Sequence, residues 1–114
     1  MAETSNRSLI YRSISVLATP LEVKVGESFL NGIIARSNDA AVIFLKFYDS
    51  TAAPTVGTTT PTLTIPFGIG ATLVATDLNV RFANGIWIAC VTTVADAGST
   101  AVDANDMVVN IFYG

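Results

Sequence analysis

Leu21, Val23 and Val25 alternate with Glu22 and Lys24, and the run stops at Gly26. A period of two places alternate side chains on opposite faces of an extended strand, so this segment is a half-buried β-strand and nothing else. The rest of the chain follows the same rule: apolar residues alternate with polar ones or form short runs bounded by Gly, Pro, Asn and Asp. The pattern predicts strands over 10–18, 21–25, 29–36, 41–48, 62–66, 73–82, 86–93 and 107–113. In the first, Ile10, Arg12, Ile14, Val16 and Ala18 share one face and Tyr11, Ser13, Ser15 and Leu17 the other. Pro20 marks a strand break or edge, because it has no N–H for a ladder. Gly32 suggests a bulge or a close backbone approach.

Turn composition separates these runs. Ser37-Asn38-Asp39 reads as a turn. Pro54 and Gly57 sit in a loop over 50–60, and Asn84-Gly85 is a strong signal for a hairpin joining the strands on either side. Residues 94–104 are Ala-rich, but Gly98, Ser99 and Thr100 make them a loop or a single helical turn. About eight short strands without a convincing helix predict an all-β fold, an antiparallel sandwich, jelly roll or small barrel, and of these an antiparallel β-sandwich of jelly-roll-like type is the expectation. With 114 residues the chain is expected to form one domain over 10–114, preceded by a flexible polar arm over 1–9.

Composition excludes several chemistries. The chain has no histidine, which removes a His general base, a Ser-His-Asp triad and histidine metal ligands. Its one cysteine, Cys90, supports neither an internal disulfide nor a Cys-rich zinc site. A net charge of −3 without a basic cluster makes nucleic acid a poor partner. The longest apolar run, Ala40 to Leu45, falls far short of the ~20 residues of a membrane helix. Met1 to Ser8 lacks the apolar core of a secretion signal, so the expectation is a soluble, cofactor-free protein made in a cytoplasm.

Charge is scarce and unevenly placed. Asp, Glu, Lys and Arg make up 13% of the chain, against about 25% in an average soluble domain. Residues 50–76 carry no charge, nor do 82–95, and no Lys or Arg follows Arg81. Such neutral surface is expected to be covered by something. Two strands carry apolar groups on both faces: Ile43, Leu45 and Phe47 oppose Val42, Phe44, Lys46 and Tyr48, while Ile86, Ile88 and Cys90 oppose Trp87, Ala89 and Val91. Met107, Val109 and Ile111 likewise oppose Val108 and Phe112. A lone sandwich buries one face of each sheet, so the second face calls for sister subunits, a larger partner, or loops such as 50–60 folding back.

Candidate chemistry is thin. Asp96, Asp103 and Asp106 lack the spacing of an EF-hand and read as a solvated acidic loop. Asp39 and Asp49 flank one strand, the one arrangement open to a glycosidase carboxylate pair, and read more simply as turn residues. Lys24 and Lys46 read as surface residues, and Cys90 as a small buried hydrophobe. Trp87, Tyr48 and Tyr113 offer a sugar-stacking platform only if they leave the core. No catalytic, cofactor or metal site is expected.

Phe44-Leu45-Lys46-Phe47-Tyr48-Asp49, then Ala53-Pro54-Thr55-Val56-Gly57-Thr58 and Pro61-Thr62-Leu63-Thr64-Ile65-Pro66, form an ordered series of short blocks. Arg81-Phe82-Ala83-Asn84-Gly85-Ile86, Ala101-Val102 and Val108-Val109-Asn110-Ile111-Phe112-Tyr113 complete it. This pattern, over about residues 42–113, resembles small structural proteins of tailed bacteriophages; residues 1–40 do not share in it. The resemblance implies a virion protein, similar to the β-sandwich cement (decoration) proteins that bind a capsid surface, commonly as trimers. It implies the major capsid protein as partner, alongside sister copies. Polarity and two-faced patterning then select Ser5, Arg7 and Leu9 of the arm and Phe44, Tyr48 and Trp87 of the strands as interface residues. The alternative is a tail-fibre or baseplate module that recognises host surface glycan.

Overall fold

The computed structural model describes residues 8–95, 98 and 100–114. Nine strands form: β1 (Leu9–Ser13), β2 (Leu21–Val25), β3 (Ser28–Ser37), β4 (Ile43–Asp49), β5 (Leu63–Phe67), β6 (Thr72–Ala75), β7 (Val80–Phe82), β8 (Gly85–Val91) and β9 (Met107–Tyr113). They make two antiparallel sheets. One has five strands in the order β1-β9-β3-β6, with β7 also on β3; the other has four, β2-β8-β4-β5. The pairs nest: β4 with β5, β3 with β6 and β7, β2 with β8, β1 with β9. This is one long antiparallel hairpin, tip between β4 and β5, rolled so that successive arms alternate between sheets. That is the jelly-roll form of a β-sandwich.

The core lies between the sheets. The four-stranded sheet contributes Ile43, Leu45, Phe47, Ile86, Ile88 and Cys90; the five-stranded sheet contributes Leu30, Ile33, Phe82, Val109 and Ile111. Phe47 and Phe82 meet across the layers with ring centroids 6.4 Å apart and planes tilted by 53°, within the favourable range for a tilted aromatic pair. Cys90 is fully buried, and burial pushes its thiol up to about 12. It is a packing residue, as its apolar neighbours indicated.

Three local predictions are corrected. The first strand ends at Ser13 instead of Ala18, because the chain there leaves one sheet for the other: Val16 N–H donates to Met107 O at 3.0 Å, and Leu17 O accepts from Cys90 N–H at 2.9 Å. The run 73–82 is two strands. Asp77 and Asn79 adopt positive φ (57° and 55°), which short polar side chains tolerate, and Leu78 N–H bonds Asn31 O at 2.9 Å. Asn84-Gly85 is not a hairpin: β7 stays on β3 while β8 joins the opposite sheet. Phe82 decides the matter, since its pairing opposite Ser28 carries the ring into the core.

Gly85 is required where it stands. Its φ is 152°, and a Cβ would lie 2.7 Å from Ser50 O and 2.9 Å from Lys24 O, both backbone atoms. Asp49, at the end of β4, accepts N–H bonds from Ala83 (3.0 Å) and Asn84 (2.7 Å). Gly85→Ala is therefore expected to lower unfolding free energy by about 3 kcal/mol, from backbone strain and displaced carbonyls. Urea denaturation checks this; a loss below about 1 kcal/mol would show that the corner gives way freely.

Candidate functional site

The two sheets treat their outer faces differently. On the four-stranded sheet, outward Lys46 and Tyr48 of β4 and Ala89 and Val91 of β8 are fully buried within the single chain. Two loops account for it. The segment after β4 crosses the sheet: Ser50 O accepts the Trp87 indole N–H at 3.2 Å, Pro54 is buried, and Pro54–Val56 lies against Ala18–Pro20 beside β2. The segment after β8 folds back through a Val91–Ala101 bridge and a Thr92 N–H to Thr100 O bond of 3.0 Å. Lys46 Nζ donates to Ala95 O in that segment.

The sequence-selected residues thus separate. Ser5 and Arg7 lie outside the described residues. Leu9 is on the surface, 59% exposed on β1. Phe44 and Trp87 are half-buried, and Trp87 is tied to the crossing loop. Tyr48 is fully enclosed and presents nothing to a partner, a correction to its placement as an outward interface residue. Lys46 is also corrected, from surface to interior. The apolar second face of β4 and β8 reflects the chain's own loops lying over it, which strand periodicity alone does not distinguish from a subunit contact.

The five-stranded sheet is the bare one. Ile10 pairs opposite Phe112, Arg12 opposite Asn110, and Ile34 opposite both Asn110 and Val74, so these side chains share its outer face. Ile10 is 61% exposed and Val74 66%. Exposure is densest along β1, an edge strand, where Leu9, Ile10 and nearby Ile14 all face water. From β1 the chain passes directly to β2, the edge of the other sheet, where Val25 is exposed as well. An apolar edge with unpaired backbone is a surface that proteins normally cover or interrupt. Sequence reasoning reached Leu9 and missed Ile10 and Ile14, which it placed on one strand face with Arg12 without saying which face is exposed.

The structure does not bring Asp39 and Asp49 together. Asp39 and Asp49 flank opposite ends of β4, separated by roughly 20 Å of strand. Asp49 caps the β7–β8 corner, and Asp39 accepts Ala41 N–H at 2.8 Å. Asp96 lies outside the described residues. Asp106 accepts Asp103 N–H at 3.2 Å, and its own backbone O takes Asn38 N–H at 2.7 Å. The Asp106 carboxyl is held above its usual range, first by a side-chain hydrogen bond with Asp39, then by desolvation and by the like charge of Asp39. Comparison with family models, with curated proteins and with solved structures found no match to this chain.

Two outcomes follow from these contacts. Lys46→Met removes the donor to Ala95 O, so Thr92 amide exchange is expected to speed up at least tenfold and stability to fall by about 1–3 kcal/mol; unchanged exchange would show that Lys46 does not hold the segment down. A carboxyl raised in the folded state binds its proton more tightly there, so its stabilisation is present in acid and is lost as pH rises through the raised value. Asp106→Asn is accordingly expected to melt above the parent protein at pH ~7, with the gap closing by pH ~3. An equal gap at both would remove the Asp39–Asp106 repulsion from the account.

Proposed function

We propose that this chain is a structural protein of a phage virion, a capsid cement that binds between major capsid subunits and acts as a trimer. The observation that carries the reading is the apolar flank formed by Leu9 and Ile10 on the edge strand β1 and by Ile14 just beyond its end. The chain covers the outer face of β4 and β8 with its own loops, yet among the described residues nothing pairs with this edge, which supports it as the surface for a partner. Contact there buries aliphatic side chains at about 25 cal/mol per Å² and offers unpaired strand backbone to a neighbour. Arg12, on the outer face of the same strand, supplies a positive charge within an otherwise acidic chain. The Thr-rich, charge-free segment 50–76 desolvates without stranding ions, which suits close neighbours on a crowded shell.

Residues 1–7 precede this edge in the chain, which favours the arm residues Ser5 and Arg7 as additional contacts. Three copies on a shell combine weak contacts by effective concentration, so moderate affinity per copy suffices for full occupancy. The work is mechanical in this reading: rigid sandwiches bridge capsid subunits, and β1 is the bridging surface.

The test uses Ile10→Glu with Ile14→Glu, exposed positions where charge leaves the core intact. Capsid occupancy is expected to fall at least tenfold, about 1.4 kcal/mol, with sedimentation shifting from trimer to monomer. Copy number per virion is expected in the hundreds. Full occupancy by the variant, or a few copies per virion, would overturn the cement reading and favour a tail location.

A further inference from the structure

Away from β1, the outer face of the five-stranded sheet is indented. A groove of about 740 Å³ opens where two irregularities face each other. On β3, the register shifts between Leu30 and Gly32, so Asn31 is an extra residue in the ladder. Opposite it the β6–β7 strand breaks at Asp77 and Asn79, both with positive φ. A bulge re-aims side chains and often sits beside a functional site. Left-handed non-glycine residues also concentrate at such sites.

We infer that this groove binds a neutral sugar, by stacking a pyranose ring on Phe112 or Phe29 and hydrogen-bonding its hydroxyls to Asn31, Asp77 and Asn79. Both rings line the groove half-buried, giving apolar surface without closing the space. Gly32 forms bare backbone between them; a Cβ there would crowd Ala75 O at 3.1 Å and Phe112 at 3.5 Å. The polar groups are amide, hydroxyl and carboxylate, which together donate to and accept from hydroxyls. Among the described residues no Lys or Arg lines the groove, and Arg81, opposite Phe29 in the ladder, is paired with Glu27. With Asp77 as the one charged side chain among the described lining residues, phosphates and carboxylates are disfavoured. A ligand with an apolar face and a rim of hydroxyls matches what remains, and the volume lies in the range of small-molecule sites.

The inference does not rest on the cement reading: the groove lies across β9, β3 and the β6–β7 break and takes in Ser8, which accepts from Asn31 Nδ2 at 2.9 Å, while the shell contact is tested at Ile10 and Ile14. Amide NMR of the full chain is titrated with methyl glucoside, methyl galactoside and N-acetylglucosamine up to about 50 mM, and separately with inorganic phosphate. At least one sugar is expected to shift Asn31, Gly32, Asp77 to Asn79 and Phe112, and phosphate to leave them unmoved. Asp77→Gly with Asn79→Gly keeps the positive-φ backbone, deletes both polar side chains and is expected to weaken binding at least tenfold with melting unchanged. Phe112→Leu, which keeps apolar bulk and removes the ring face, is the second variant and is expected to do the same. Absence of groove shifts with all three sugars, shifts centred elsewhere, a response to phosphate in place of sugar, or full binding by either folded variant would overturn it.

Discussion

A rolled hairpin must cross between its sheets repeatedly, and every crossing removes backbone groups from their ladders. The corner at Gly85 meets that demand most completely. Asp49 takes the N–H groups of Ala83 and Asn84, Gly26 N–H bonds Asn84 O at 3.1 Å, and Ser50 N–H reaches Gly85 O at 3.4 Å. Ends of β2, β4 and β7 and the start of β8 therefore meet at one satisfied knot of polar groups. Ala83 and Asn84 are exposed, so water competes for their N–H groups and each bond contributes about 0.5–1.5 kcal/mol; the fixed point of the corner is buried Gly85, where a Cβ has no room. The jelly-roll path depends on it: β7 and β8 are neighbours in sequence but partners of different sheets.

That same corner fixes where the crossing loop begins. Ser50 follows Asp49 directly, and its carbonyl holds the Trp87 indole, so the neutral loop starts already aimed across β8. The four-stranded sheet thereby becomes the middle of a three-layer stack, core on one side and the chain's own loops on the other. Lys46 is buried beneath this cover with its Nζ donating to Ala95 O. A polar nitrogen in that position needs such a partner, because burial without one costs several kcal/mol, roughly 2–7. Among the described residues the five-stranded sheet receives no such layer.

How much of this the sequence revealed depends on the range of the force involved. Strand periodicity is local, and β2, β4, β8 and β9 follow it closely because each has a core face set by its own alternation. The sandwich class follows from those strands. The hairpin expected at Asn84-Gly85 did not form because a distant pairing, Ser28 with Phe82, outweighed the local turn preference. Tyr48 and Lys46 were misplaced for a related reason: apolar groups on both faces announce burial without naming what covers them. Asp77 and Asn79 stood out least, being ordinary polar residues until their positive φ is seen.

The bare sheet has two distinct regions, and their chemistry differs in a way that one continuous interface would not explain. Along β1 the exposed groups are aliphatic and sit at an open ladder edge, which rewards a large dry contact. Across β3 and the β6–β7 break the surface is concave, aromatic and rimmed by amides and a carboxylate, which rewards a small hydroxylated ligand. A flat macromolecular partner laid over both would leave the groove as a void and would bury Asp77 opposite no cation of this chain. Stranding that carboxylate costs more than the adjacent apolar area returns. The two regions therefore differ enough in chemistry to be treated as separate surfaces, the edge in the proposed assembly and the groove in the proposed sugar binding.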